Sequence, residues 1–319
     1  MQKLSLSCTL PPGDCMVLSA GIYSLHQSYP GKYLTKVASP NLDIWLNNPY
    51  IKEFERDENT IFWEVRYPLI QTSNNASVTF IQGFIKFMEN ELKVPIKTAT
   101  NRPHIYLTEA EKEPFRAGLP EEYIVFMPGV KTDFTTKQWP LEYYEKVVKH
   151  FLGRIDFIQV GLPEHNSEGP IDGAFNLIGQ TTLRELLRLS YNAVGGLCPI
   201  TSLQHVMAAF EKPCCVLVGG REDLPWCASY PLQYTFHTFG MLPCCKTGAC
   251  WRSRVVEMKD GMKCNDKVEM DSLLCKLPIY NMKQPVAKCM EMIKPDAVIR
   301  TIEMWIDDDW VRQHIAFRL

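Results

Sequence analysis

Two runs of alternating strand and helix signals, separated by a polar stretch, constrain this chain more than any other feature. The first opens with "KLSLSCTL", a strand, then "GDCMVLSAGIYSLHQSYP", a helix that must stop at Tyr29-Pro30, then a second strand, "YLTKVAS". Residues 43–70 read as irregular with short strands, and a helix is expected at about 76–90. Residues 97–122 hold three prolines, a glycine and many charges, the composition of a linker. The second run begins with the strand "EYIVFMPG". Then come a helix with Pro140 at its first turn, the strands "RIDFIQVG" and "FNLIG", and a helix with a Thr182-x-x-Glu185 capping box. "NAVGGL" (strand), 201–210 (helix) and "CCVLVGG" (strand) complete it, and a terminal helix, "KPDAVIRTIEMWIDDDWVRQHIAF", ends the chain. Strand–helix alternation calls for an α/β fold with a mostly parallel sheet and helices on both faces. Two such units would face each other across a cleft. The expected division is 1–110 and 111–319.

Length supports that division, since 319 residues suffice for two ordinary cores. With 34 basic against 36 acidic residues and no basic run, nothing points to nucleic acid. There is no apolar run of signal-peptide or membrane-spanning length. The expectation is a soluble, cytoplasmic chain, with a peripheral place at the inner membrane as a further case.

In open α/β sheets, ligands bind beyond the carboxyl ends of the strands. Four stretches fall there. Gly13-Asp14 follows the first strand and opens a helix, so Asp14 either faces a cleft or caps the helix. "PGVKTDFTTKQWP" (128–140) offers Thr135, Thr136 and Lys137 on one loop, which suits a diphosphate or, equally, a solvated surface. "VGLPEHN" puts Glu164 just past a strand, where a carboxylate can accept from a ribose or simply occupy a turn. "PITSLQHVMAAF" places Thr201, Ser202 and His205 at a helix start, and the next strand ends in Gly-Gly-Arg with Arg221. Three such edges in the second unit favour a nucleotide-diphosphate site over independent accidents.

The ordered set resembles glycosyltransferase family 9, the heptosyltransferase family. It comprises "GDCMVLSAGIYSLHQSYPGKYLT", "KQWPLEYYEKV", "NLIGQTTLRELLRLSYNAVGG", "TSLQHVMAAFEKPCCVLVGGRE" and the segment from Trp226 to Tyr230. The resemblance covers about residues 3–305. It implies a GT-B fold, two facing Rossmann-like domains with a central cleft, the first binding acceptor and the second nucleotide-sugar, an ADP-sugar by preference. It also implies inverting transfer, without a catalytic metal, of a sugar such as heptose to a glycan, lipopolysaccharide or protein hydroxyl. Carried over, Asp14 would be the general base, Lys137 with Thr135 and Thr136 would hold the diphosphate, and Glu164 would contact the nucleoside. Thr201, Ser202 and His205 would line the phosphate and sugar, with Arg221 an additional cation. One departure stands out. Where the family shows an acidic residue, then Thr or Ser, then Gly, this chain has Ile200-Thr201-Ser202. Other readings of the same fold are a nucleotide-sugar epimerase, which would need no acceptor, and an inert binding or scaffold protein, for which the loss of the acid at Ile200 is the main support.

Of twelve cysteines, six crowd between Cys244 and Cys289, spaced Cys245-x4-Cys250-x13-Cys264-x10-Cys275-x13-Cys289. That density in a reducing compartment favours metal over disulfide. A structural iron or zinc held by Cys250, Cys264, Cys275 and Cys289 is expected, with Cys244 and Cys245 as alternates; reduced thiols or a disulfide are the other readings. The segment also resembles the cysteine-rich insert of autotransporter heptosyltransferases, which implies iron, and in the scaffold reading the cysteine cluster would organise an oligomer. Cys8, Cys15, Cys198, Cys214, Cys215 and Cys227 read as buried small hydrophobes.

Overall fold

The computed structural model describes residues 1–307 except 68, 70–76, 115, 167, 228–229, 247–249, 252 and 258–272. In chain order the elements are β1 (Gln2–Ser7), α1 (Pro12–Ser28), β2 (Tyr33–Ala38), β3 (Ile61–Glu64), α2 (Phe80–Leu92), α3 (Glu109–Lys112), β4 (Tyr123–Phe126), α4 (Leu141–Phe151), β5 (Asp156–Gln159), β6 (Phe175–Asn176) and α5 (Leu183–Asn192). After them come β7 (Gly195–Pro199), α6 (Ser202–Ala209), β8 (Cys214–Gly219), α7 (Leu224–Cys227), β9 (Gln233–His237), β10 (Pro278–Ile279), β11 (Val286–Ala287), α8 (Lys288–Glu291) and α9 (Pro295–Asp307). No helix among the described residues is long and apolar enough to cross a membrane.

The strands form a parallel sheet β2-β1-β3 and a six-stranded parallel sheet β6-β5-β4-β7-β8-β9, with β10 and β11 as a small antiparallel pair. Strands β4, β7 and β8 are buried along their whole length, which explains their unbroken apolar sequence. One face of this sheet packs Phe126, Leu217 and Trp305 with α4 and α9; the other packs Val125, Val216 and Met207 with α5 and α6. In the smaller sheet, Leu4 and Leu6 lie under α1 and α2. Helix α1 is apolar nearly all round because it is buried on both sides: one contacts α2, the other reaches α6 of the larger sheet's half.

Local signals hold where predicted. The capping box of α5 is present, with the Thr182 side chain accepting from Glu185 N–H and the Glu185 side chain returning to the cap. Helix α2 begins later than the pattern predicts, at Phe80, because Thr79 and Gln82 form their own capping box. Strand β9 was not read from the sequence; its residues Gln233–His237 pair with β8 at a partly exposed sheet edge, so they lack a core strand's apolar signature.

Candidate functional site

Both sheets reverse their strand order at one point, and both reversals face the same place. In the smaller sheet β1 lies between β2 and β3, so the loop after β1 opens over the crevice between them. In the larger sheet the reversal falls between β4 and β7, whose following loops carry Lys137 and Thr201. Lys137 Nζ donates across this crevice to the Ile200 carbonyl at 3.3 Å.

The two crevices meet through α1 and α6. A β-carbon at Gly13 would stand 2.9 Å from His205 Cδ2 and 3.4 Å from the Ser202 Cα, so only glycine allows the helix starts to approach this closely. Asp14, the next residue, is brought beside Lys137 and Glu222. The capping alternative for Asp14 does not hold. Pro11 is the N-cap of α1, no side chain caps this helix, and the Asp14 carboxylate accepts instead from the Tyr67 hydroxyl. Burial pushes the Asp14 carboxyl up to about 6, while Tyr67 and Lys137 pull it part of the way back.

Lys137 pairs with Glu222 at 2.6 Å, and Glu222 also accepts from Arg221 at 2.7 Å. Burial alone would raise the Glu222 carboxyl, but the two cations outweigh it and hold the group below its ordinary value. Glu222 was absent from the sequence-derived set. It lies in a loop after β8 with no periodicity, and its only signal was proximity to Arg221.

His205 is 7% exposed, and its Nδ1 lies 2.8 Å from the Tyr230 hydroxyl. Burial and then the nearby Lys137 charge depress the imidazole to about 4, so it is neutral at pH 7. Thr201 is the N-cap residue of α6 yet makes no cap bond, and its Oγ1 is buried without a partner among the described residues. A buried hydroxyl at a helix start that leaves its hydrogen-bonding capacity unused suits an incoming phosphate oxygen. Ser202 opens the same helix, half-buried.

Three expected donor contacts are placed differently. Thr136 is buried and donates to the carbonyls of Ser253 and Arg254, so it fastens the 128–137 loop to the later segment rather than facing the crevice. Thr135 Oγ1 accepts from the Val256 N–H and serves the same junction. Arg221 is no free cation, because its Nε donates to the Ser253 carbonyl and its Nη1 to Glu222, with Phe134 and Trp251 against its guanidinium. Desolvating a guanidinium is unfavourable, and these partners compensate it within the fold. Glu164 is exposed on the turn after β5.

The cysteine-rich segment converges on a separate cavity of about 20 Å³ lined by Cys244, Cys245, Cys250, Cys275 and Cys289 beside Gly220 and Arg221. Burial pushes the Cys275 thiol up to about 11 and Cys289 up to about 12, and the neighbouring sulfurs add to it. Five soft donors around one cavity match a thiolate metal in chemistry. Their arrangement is open: among the described residues no group of three or more His, Cys, Asp or Glu side chains is placed to hold a metal ion. Cys264, expected as a ligand, lies outside the described residues.

Residues 73–226 match the model of glycosyltransferase family 9 (heptosyltransferase). The structure is similar to ADP-heptose LPS heptosyltransferase II of E. coli, with TM-score 0.63 and 13% identity, covering 96% of this chain and 98% of that one. It is also similar to the glycosyltransferase family 9 protein of Veillonella parvula, with TM-score 0.60 and 14% identity over 74% of this chain and 86% of that one. A third likeness is to the iron-containing dodecameric glycosyltransferase TibC of enterotoxigenic E. coli, with TM-score 0.60 and 15% identity over 95% and 75%. No curated protein matches in sequence. The fold is α/β of the GT-B type.

Proposed function

We propose, from the match of residues 73–226 to glycosyltransferase family 9 and the geometry of the site, that the chain is a glycosyltransferase that moves a sugar, heptose by preference, from an ADP-sugar to a glycan, lipopolysaccharide or protein hydroxyl. The observation that carries this reading is the Asp14 carboxylate, set at the tip of α1 against the α6 start and beside Lys137. One group there can take a proton and another can meet a leaving phosphate.

Residues 1–110 bind the acceptor and residues 111–319 the donor. Asp14 removes the acceptor O–H proton as that oxygen attacks the anomeric carbon from the face opposite the leaving group. The bond from that carbon to the diphosphate breaks, and the configuration inverts. A carboxyl near 6 is ionised at neutral pH yet basic enough to accept the proton, which is where general bases work best. Lys137, the Thr201 and Ser202 hydroxyls and the amides of the α6 start receive the charge that develops on the leaving diphosphate. Neutral His205 contributes a hydrogen bond rather than a charge at the sugar. Glu164 takes the nucleoside ribose. Glu222 supplies a carboxylate at Lys137, close to the Ile200 position where the family carries an acid. This supports a transferase over an inert scaffold.

The reaction needs no metal on this reading. A structural iron or zinc belongs to the cysteine cavity, where Cys244, Cys250, Cys275 and Cys289 would hold it and Cys245 is the alternate. A thiolate-bound metal would cross-link the segment after β9 to α8. TibC is described as iron-containing and dodecameric; by that likeness an oligomer is part of the proposal. So is a cytoplasmic location, peripheral to the inner membrane when the acceptor is lipopolysaccharide.

The test is a panel of ADP-, GDP- and UDP-sugars with acceptor present and absent. Transfer from an ADP-sugar that disappears in Asp14→Asn, with ADP binding intact, supports the proposal. Interconversion of the free nucleotide-sugar without acceptor identifies an epimerase. Absence of any nucleotide binding overturns both.

A further inference from the structure

The loop between β1 and α1 folds back so that Cys8, just past β1, meets Cys15 in the first turn of α1. Their sulfurs lie 3.3 Å apart, and both residues are fully buried. Both lie in the hydrophobic core, as expected of buried small hydrophobes, but Cys15 also meets polar groups. Asn41 Nδ2 donates to Cys15 Sγ at 3.5 Å, Ser39 Oγ lies 3.9 Å from it, and the Leu10 carbonyl accepts from its S–H at 3.3 Å. Cys15 directly follows Asp14.

We propose that Cys8 and Cys15 form a disulfide when the chain meets hydrogen peroxide, and that this bond stops transfer by shifting Asp14. The consequence for transfer rests on the functional reading above; the bond itself does not. A disulfide needs its sulfurs at about 2.05 Å, closer than the 3.3 Å of the reduced pair, and the closure draws on the two side chains and on the first turn of α1 that carries Cys15. That turn has no slack, because Gly13 already bears on His205. Misplacing a catalytic group by about 1 Å can lower a rate on the order of 10²-fold.

The two sulfurs are not equivalent. Hydrogen bonds from Cys8, Asn41 and Ser39 lower the Cys15 thiol, while the Cys15 contact and burial raise that of Cys8. Cys15 therefore attacks first. Its thiolate bonds to one peroxide oxygen, the O–O bond breaks, and the departing hydroxide takes a proton to leave as water. The resulting Cys15 sulfenic acid is attacked by the Cys8 sulfur; the S–S bond forms and a second water leaves. Two thiols lose two electrons and two protons, and one peroxide becomes two waters.

The test treats the full chain with a small excess of hydrogen peroxide, alkylates it, digests it and maps the peptides by mass spectrometry. The expected result is a Cys8–Cys15 linkage that dithiothreitol reverses. The transfer kcat falls at least tenfold with it and recovers on reduction, and the ADP Kd stays the same. Cys8→Ala keeps its rate under the same dose. Absence of the linkage, a linkage that leaves kcat unchanged, or an equal loss in Cys8→Ala each overturns the proposal. Should Cys8→Ala fail to fold, the wild-type mapping and its recovery on reduction decide alone. If the reduced chain transfers no sugar at all, the functional reading fails on that result, and the mapping still decides the bond.

Discussion

Gly13 in α1 and His205 in α6 bear on each other across the cleft, with room for a hydrogen and none for a methyl: a β-carbon at 13 would meet His205 Cδ2 at 2.9 Å. Gly13→Ala must push the two helix starts apart or turn the His205 ring away from Tyr230. Overpacking of this kind costs about 1–3 kcal/mol. The expected outcome is a lower melting temperature together with a kcat loss larger than any change in donor KM. An unchanged kcat would show that the proximity of the helix starts is irrelevant to the reaction.

Asp14→Asn keeps the shape of the site and removes the proposed base. Transfer should fall by about 10²–10⁴-fold, with ADP affinity in calorimetry unaltered. In the wild type the base is the ionised form and the carboxyl sits near 6. The kcat should therefore rise about tenfold per pH unit below that value and level off above it. Tyr67→Phe removes an O–H that favours the carboxylate, so the midpoint should move to higher pH.

Glu222 neutralises Lys137 and Arg221 inside the fold. Glu222→Gln leaves two cations uncompensated, at the lower end of the about 3–5 kcal/mol seen when a buried pair loses one partner. The same excess of positive charge attracts a diphosphate more strongly. Thermal denaturation should show a lower melting point without ligand and a larger rise on adding ADP than in the wild type. Glu222→Asp should lie between the two.

His205 and His104 are each depressed to about 4, burial being the main cause in both. The unfolded chain, with imidazoles near 6.5, binds more protons between those values, so stability drops as pH falls through this window. At pH 5 the His205 contribution is a loss of about 2 kcal/mol. Asp14, raised to about 6, acts in the opposite sense between roughly 4 and 6 and offsets part of it. Urea titrations at pH 7 and pH 5 should show a net loss at the lower pH, and His104→Gln should reduce it.

Chain purified without added metal should carry about one iron or zinc by elemental analysis, since a tetrahedral site needs four thiolates and the cavity offers five. Cys289→Ser should lower the content and the melting temperature while leaving the pH profile of transfer in place. Full titration of the cavity thiols by a thiol reagent in the native chain, with no metal found, would remove the metal from the proposal.

The elements themselves were legible because their signals are local. Gly13-Asp14 after a strand, the Thr182–Glu185 box and the unbroken apolar run of β8 each lie within one or two helical turns of chain. Their order was enough to call for parallel sheets and to place Asp14, Lys137 and Thr201 at strand ends. What those side chains do was decided by partners far away in sequence. Tyr67 reaches Asp14 from 53 positions along the chain, and Thr136 reaches Ser253 from 117. Arg221 looks like a free cation beside a glycine pair until the fold sets it against Glu222 and the Ser253 carbonyl. The pairing of Cys8 with Cys15 likewise depends on how one loop folds back, which two thiols seven positions apart do not announce. The periodicity of the sequence determined which faces must be buried, and so the architecture. The charge state and freedom of each polar group depend on burial and on neighbours brought in by topology, so only the tertiary structure decided them.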